Sequence, residues 1–305
     1  MTATADSIIE RRKLRRRVAL WRILAIVAVL IAVVALVPWN TSKETKDHIA
    51  RISVDGPIFD DRARLDGIAR VRDADSAKAL IVSIASPGGT AAGSEAIFDA
   101  LREVAEKKPV VALIGEVAAS GGYIVAMGAD RIYARKTSIT GSIGVVSQIP
   151  NVTELLDSIG IQFAEVKSSP LKAAPNPVVP NDPAAMQALE DMVLNTFDWF
   201  TALVSDRRGL EGAALSAVTD GRVFTGRQAI DLGLVDAIGA DSEMRAWLAE
   251  EHDLSTDLKV RDYRTKKAEL PFPLDQFEDE LSAFLPAARL HVAPGPRLMT
   301  IYTGP

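Results

Sequence analysis

The chain has 305 residues, with 35 Lys and Arg against 40 Asp and Glu, three His, no Cys and 48% apolar residues. That composition excludes disordered, collagen-like and disulfide-stapled classes, and without Cys there is neither a zinc–thiolate cluster nor a cysteine nucleophile. His48, His252 and His291 are scattered, so a histidine-based metal centre is not expected, and nothing in the sequence calls for a cofactor.

Charge is unevenly spread. Residues 1–40 carry a net +5 and the remainder a net −10. An acidic body argues against general nucleic-acid binding, which needs a basic face. Residues 1–17 end in the run Glu10–Arg17, ERRKLRRR, and are expected to be a cytoplasmic segment. Ile23–Val37 is an unbroken apolar run of 15 residues, and Val18–Trp39 extends it to 22 with Arg22 as its only charge. At about 1.5 Å per residue, residues 18–39 would cross a ~30 Å hydrocarbon layer, with Arg22 snorkelling and Trp21 and Trp39 at the interfaces. Basic residues before the span put the N-terminus in the cytoplasm and the body outside. The competing reading is a cleaved signal peptide. The segment Val34-Ala-Leu-Val-Pro-Trp offers no clear Ala-x-Ala exit, so a retained anchor in lipid is the expectation.

Residues 40–47 read as a polar tether. From His48 to about residue 240, short apolar runs alternate with amphipathic stretches, the sign of an α/β domain. The expected strands are His48–Val54, Ala79–Ala85, Val110–Gly115, Arg131–Ala134, Gly144–Ser147 and Phe163–Val166. Helices are expected near Ala63–Arg72, Gly93–Lys107, Val152–Ile159 and Pro183–Arg207. In the last, Met186, Leu189, Val193, Phe197 and Phe200 fall on helical spacing, a packing or subunit face. Thr225 is placed to cap a short helix over Gly226–Leu232, Gly233 to end it, and Leu234–Ile238 to return as a strand. Residues 241–305 read as a helical or irregular tail broken by prolines. The formal sequon Asn151-Val-Thr is taken as chance.

Three Gly-rich segments follow strands, where open α/β folds place their ligands. They are Ser86-Pro-Gly88-Gly89, Ala118-Ala-Ser120-Gly121-Gly-Tyr and Thr140-Gly-Ser142-Ile-Gly. No phosphate-cradling G-x-x-x-x-G-K-[ST] or G-x-G-x-x-G occurs, so what remains is a serine hydroxyl on a strand-to-helix turn among residues that admit another backbone. Such a hydroxyl needs a base. No His lies within 70 residues of Ser120, so a Ser-His-Asp triad is open but not suggested. A desolvated lysine is the other base that serine hydrolases use. Lys136, Lys167 and Lys172 lie shortly downstream, and composition alone does not separate Lys167 from Lys172.

In order along the chain, Ser86-Pro-Gly-Gly, Ala118-Ala-Ser-Gly-Gly-Tyr, Thr140-Gly-Ser-Ile-Gly, Lys167-Ser-Ser-Pro-Leu-Lys172 and Asp220-Gly-Arg-Val-Phe-Thr-Gly-Arg-Gln-Ala resemble the signal peptide peptidase A (protease IV) family. The match covers residues 48–240, in the single-domain form that follows one membrane span. The resemblance implies Ser120 as nucleophile, Lys172 as general base and Ser142 as the residue orienting Lys172. It assigns the oxyanion hole to the N–H groups of Gly89 and Gly121, with Gly88 shaping the loop. The implied fold is a ClpP/crotonase-like spiral of ββα units after an N-terminal transmembrane helix. The implied assembly is a ring-like homo-oligomer on the extracytoplasmic side of a bacterial inner membrane. Its peptide substrates would be cleaved signal peptides left in the membrane. The stretch after Lys172 departs from the pattern in its prolines (Pro175, Pro177, Pro180, Pro183). Two rival classes are a crotonase-fold acyl-CoA enzyme, which the expected outside location would deprive of CoA, and a non-catalytic membrane scaffold, against which intact Ser120, Ser142 and Lys172 speak.

Overall fold

A computed structural model of the chain describes residues 46–263 together with Trp21, Arg22 and Ala25. The chain divides into two units, Met1–Lys46 and Asp47–Pro305. In the first, the described Trp21, Arg22 and Ala25 are helical. The rest of the expected anchor over residues 18–39 lies outside the described residues, as do His291 and the proline-rich end of the tail. Among the described residues no helix is long and apolar enough to cross a membrane.

The second unit is a mixed α/β fold built on one sheet of eight strands. It opens with β1 (His48–Asp55), α1 (Arg62–Asp73), β2 (Ala77–Ser86), α2 (Ala91–Ala105) and β3 (Val110–Ala119). The strands β1, β2 and β3 pair in parallel, as strand–helix–strand crossovers require. Their near-continuous apolar runs follow from burial on both faces: Leu80, Val82 and Ile84 join one core cluster, and Ile49, Ala79, Ile81 and Val111 join a second. Each helix is started by a side chain of the preceding loop. Asp61 accepts the Arg64 N–H ahead of α1, and Thr90 accepts the Gly93 N–H ahead of α2.

β3 is the hinge of the architecture because its two halves serve different neighbours. Its first half, Val111–Ile114, pairs with β4 (Arg131–Ala134), and its last three residues, Val117–Ala119, pair with β5 (Ile139–Gly141). Between β3 and β4 lies α3 (Gly121–Met127), whose seven residues are all buried. Beyond β5 the sheet continues into the antiparallel β6 (Val223–Thr225), and β4 carries the two-residue β7 (Ala237–Ile238). At the opposite edge β8 (Lys259–Asp262) pairs with β1 in parallel. Ahead of it α8 (Asp241–His252) packs Met244 and Leu248 into the second core with Tyr133, so sheet and core extend through residue 262.

The strand expected at Leu234–Ile238 shortens to β7, and the short helix there is α7 (Gly226–Asp231), capped by Thr225 as the sequence suggested, with Gln228 completing the capping box. The strands expected at Gly144–Ser147 and Phe163–Val166 do not form. Residues 145–182 contain only one short helix, α4 (Thr153–Ser158), with no buried residue, and pair with no strand. Val146, Phe163 and Val166 are exposed, so these apolar runs lack the second face that would make them strands. The long α5 (Pro183–Arg208) is buried chiefly in its C-terminal half, at Phe200 and Val204, while Met186, Met192 and Leu194 stay exposed. After it comes the short α6 (Gly212–Ser216).

Candidate active site

β2, β3 and β5 run parallel and end side by side, and the three Gly-rich segments are the turns that leave them. Ser120 sits between β3 and α3 at φ 51°, ψ −119°, a conformation that ordinarily belongs to glycine in a tight turn. Its N–H donates to the Gly141 carbonyl at 2.8 Å, and its own carbonyl accepts the N–H groups of Tyr123 and Ile124 at 2.9 and 3.0 Å. The backbone is thereby pinned on both sides. The hydroxyl makes no hydrogen bond within the described residues, which leaves it available.

Gly88 and Gly89 lie directly against this turn. A Cβ on Gly88, at φ +114°, would stand 3.0 Å from the Ser120 Cβ and 3.1 Å from the Gly121 nitrogen. A Cβ on Gly121 would stand 3.3 Å from the Gly89 nitrogen. Gly89 is itself gripped by the buried Ile58: Ile58 N–H donates to the Gly88 carbonyl, and Thr90 N–H donates to the Ile58 carbonyl, both at 2.8 Å. Among the described residues neither the Gly89 N–H nor the Gly121 N–H donates to a protein acceptor. Two neighbouring amides beside a serine hydroxyl thus remain unsatisfied, as donors reserved for a substrate would be.

Ser142 follows β5 at φ 52°, with its N–H on the Arg222 carbonyl at 2.8 Å. Since Gly141 bonds Ser120, Ser142 is only one residue from the Ser120 turn. Of the four non-glycine residues with positive φ among the described residues, Ser120 and Ser142 are two and Ala173, directly after Lys172, is a third. Backbone strain therefore gathers at the motifs singled out from sequence.

Lys172 makes no hydrogen bond to Ser120 or Ser142. It lies in the exposed 145–182 segment, its N–H donates to the Ser169 carbonyl, and its amine has no partner among the described residues. Lys167 differs, being engaged with Glu165. Both described imidazoles are held elsewhere. His48 opens β1, bonded to the Tyr263 hydroxyl at 3.0 Å, and His252 lies edge-on to Trp247. His48 pairs with Ala77 at the start of β2. At about 3.3 Å per residue that puts it roughly 30 Å from Ser86 and the turns at the other end of the sheet.

Beneath the site α3 is anchored along its length. The Tyr123 hydroxyl donates to the Leu234 carbonyl at 2.7 Å, and complete burial holds its pKa well above the usual tyrosine range, so it stays a donor. Arg207 on α5 donates to the carbonyls of Met127 and Ala129 at 2.9 Å, and Arg102 to that of Gly128 at 3.2 Å. Burial lowers the Arg207 pKa from its usual value, yet a guanidinium keeps its charge. These carbonyls are the orphans that end a helix, satisfied here by side chains. Ile58, Arg207 and the close approach of Gly88 and Gly89 to Gly121 were not read from the sequence. The only signal was the run of small residues itself, since a Cβ on Gly89 would meet the Ile58 carbonyl oxygen at 1.9 Å.

A strained serine between a strand and a buried helix, next to two unpaired amides, has the parts of an acyl-transfer site built on a parallel α/β sheet. The model of peptidase family S49 matches residues 102–255, a stretch that contains Ser120, Ser142 and Lys172 and begins after Gly89. The chain is 37% identical over 224 residues to a protein named as a protease in Synechocystis sp., a match covering 72% of this chain and 79% of that one. It is 30% identical over 201 residues to one named for signal peptide peptidase SppA in Enterococcus faecium, covering 66% and 58%. Protease 4 of Salmonella typhi is 31% identical over 267 residues, covering 84% of this chain and 43% of that protein. The chain belongs to peptidase family S49, the signal peptide peptidase A (protease IV) family, and is a peptidase.

Proposed function

We propose that the chain is a membrane-anchored serine endopeptidase with a Ser120/Lys172 dyad, acting on signal peptides left in the membrane after their release. The observation that carries this is the Ser120 turn, its hydroxyl without a hydrogen bond among the described residues and the unpaired N–H groups of Gly89 and Gly121 in the same turns. Ser120 Oγ attacks the scissile carbonyl carbon as its proton passes to the neutral Lys172 Nζ. The two N–H groups receive the negative charge that develops on the carbonyl oxygen. Collapse of the tetrahedral adduct breaks the C–N bond, Lys172 returns the proton to the leaving amine, and water then cleaves the acyl-Ser120 ester by the reverse proton path. Ser142 orients the amine, since a hydroxyl both donates and accepts. Gly88 keeps the donor loop against Ser120.

A lysine base works only when its surroundings are dry enough to hold it uncharged. Lys172 is exposed in the single chain, and the segment that carries it displays Leu155, Ile159, Phe163, Val166 and Leu171 to solvent. A ring-like homo-oligomer of spiral ββα domains would cover those side chains and dehydrate the amine at the same time. The anchor over residues 18–39 would hold the domain at the extracytoplasmic face of the membrane, over apolar peptides.

The test is peptide cleavage by the full chain in detergent. Ser120→Ala and Lys172→Ala each should abolish turnover without changing the assembly state, and a fluorophosphonate should label Ser120. Wild-type turnover in Lys172→Ala would remove the dyad and leave the family assignment standing.

A further inference from the structure

Among the described residues the buried polar residues are His48, Ser86, Ser94, Ser138 and Thr140. Ser86, Ser94 and Thr140 lie against residues 118–122 around Ser120. Ser138 donates to the Gly115 carbonyl at 2.6 Å and Thr140 to the Ala118 carbonyl at 2.8 Å, fastening β5 to β3. Ser94 donates to the Thr90 carbonyl at 2.9 Å. Ser86, the last residue of β2 and fully buried, accepts the Gly88 N–H on its Oγ at 3.1 Å, with the Gly88 carbonyl 3.4 Å away.

We infer that the Ser86 hydroxyl is a positioning residue for the peptidase reaction: by closing a side-chain turn on Gly88 it aims the Gly89 N–H at the oxyanion. The inference rests on the proposed role of that N–H as an oxyanion donor. Two consecutive glycines have far more backbone freedom than any other pair, so a Gly88-Gly89 turn needs outside restraint to hold one direction. Ile58 restrains it from one side through the Gly88 carbonyl and the Thr90 N–H. The Gly88 N–H is the remaining handle, and Ser86 Oγ is its acceptor, in the manner of serine-closed turns. Ser86 also lies under the second donor. It pairs with Ala118 of β3, and a Cβ on Gly122 would stand 2.7 Å from the Ser86 carbonyl oxygen. One buried residue thus touches both turns that carry the amides. It has no route to the substrate, so its loss should weaken transition-state stabilisation and leave ground-state binding alone.

The experiment compares Ser86→Ala, Ser86→Cys and Ser86→Thr in the full-length protein. Ala and Cys remove the hydroxyl, Cys at nearly equal volume, and Thr restores it. Ala and Cys are expected to lower kcat by about ten- to a hundredfold with KM unchanged within about twofold. A peptide boronate, which presents a tetrahedral oxygen to the donors, should lose affinity by the same factor, and a product peptide should bind as before. Ser86→Thr should recover most of kcat. Should Ser86→Ala not fold, the Cys and Thr pair decides. Wild-type kcat in the Cys variant, or a loss carried wholly by KM, would overturn the inference. If Ser120 is labelled by fluorophosphonate but kcat ignores Ser86, this inference alone fails. If Ser120 is not labelled in the wild-type protein, the proposed function fails first.

Discussion

Gly89→Ala tests the most tightly determined contact of the site. A Cβ there would meet the Ile58 backbone at 1.9 Å from its oxygen, 2.5 Å from its nitrogen and 2.6 Å from its carbon, where ordinary contact begins at 3.4 Å. Backbone atoms cannot rotate away, so the two segments must part by about 1.5 Å, the difference of 3.4 and 1.9 Å. Separation of that size breaks the Ile58–Gly88 and Thr90–Ile58 hydrogen bonds. Two hydrogen bonds at about 1 kcal/mol each, with about 1–3 kcal/mol for overpacking, give a loss of roughly 3–5 kcal/mol. For a domain of this size that lowers Tm by roughly 10 °C. The same displacement carries the Gly89 N–H off its target, and a shift of even about 1 Å is worth on the order of a hundredfold in rate. Thermal melts and peptide-cleavage kinetics measure the two effects on one sample. Gly56→Ala is the control: its φ is positive, +69°, as that of Gly89 is not, and a Cβ there meets nothing within 4 Å. It should cost about 1–2 kcal/mol of conformational strain and leave kcat alone. A Gly89→Ala protein that melts and turns over like the wild type would refute both the contact and the donor role.

Two further outcomes follow from local geometry. Ser120→Gly should be inactive yet more stable than the wild type by about 1 kcal/mol, because glycine relieves the strain at φ 51° while Ser120→Ala keeps it; a melt in which Gly and Ala variants coincide would show the turn is unstrained. The Glu243 carboxylate accepts the Ala240 N–H ahead of α8, and that bond lowers its pKa below the usual 4.5. A depressed folded pKa means stability that is present above about pH 4.5 and lost as pH falls through the lowered value. Glu243→Gln should therefore flatten the acid limb of the stability curve, and an unchanged limb in pH-dependent melts would contradict the assignment.

The parts legible in the sequence were those whose physics is local or periodic. Ala79–Ala85 and Val110–Gly115 read as strands because burial on both faces leaves an unbroken apolar run, and Thr225 announced α7 by its capping side chain. β6 and β8, of three and four residues, carry too few positions for a clear period and form by pairing with distant strands, while of the strand expected at Leu234–Ile238 only the last two residues pair. Gly144–Ser147 and Phe163–Val166 failed in the other direction: the residues favour strands, but no neighbour offers them a ladder. In the site, the turns at Gly88, Ser120 and Ser142 showed themselves as clusters of small residues after strands. Which atoms they serve did not, since Ile58 precedes Gly89 by 31 positions, across α1 and β2, and looked like one more loop hydrophobe.

The proposed oxyanion donors and the proposed lysine base place opposite demands on the protein, and the chain distributes them accordingly. Oxyanion donors need direction, which only a close-packed scaffold can hold. The proposed donors are backbone amides on turns tied to β2, β3 and Ile58, and α3 beneath them is fixed by Tyr123, Arg102 and Arg207. A lysine base needs dehydration more than direction, and the surface of one domain cannot supply that. On the proposed reading, Lys172 stands for that reason among side chains such as Val166, Leu171 and Phe163 that remain exposed in the single chain: whatever covers them removes water from the amine in the same step. Charge-stabilising geometry is then present before assembly, and basicity arrives with it. A monomeric form should consequently keep its affinity for a tetrahedral boronate while losing turnover, and equal loss of both on dissociation would argue that the donor turns, too, depend on a neighbour.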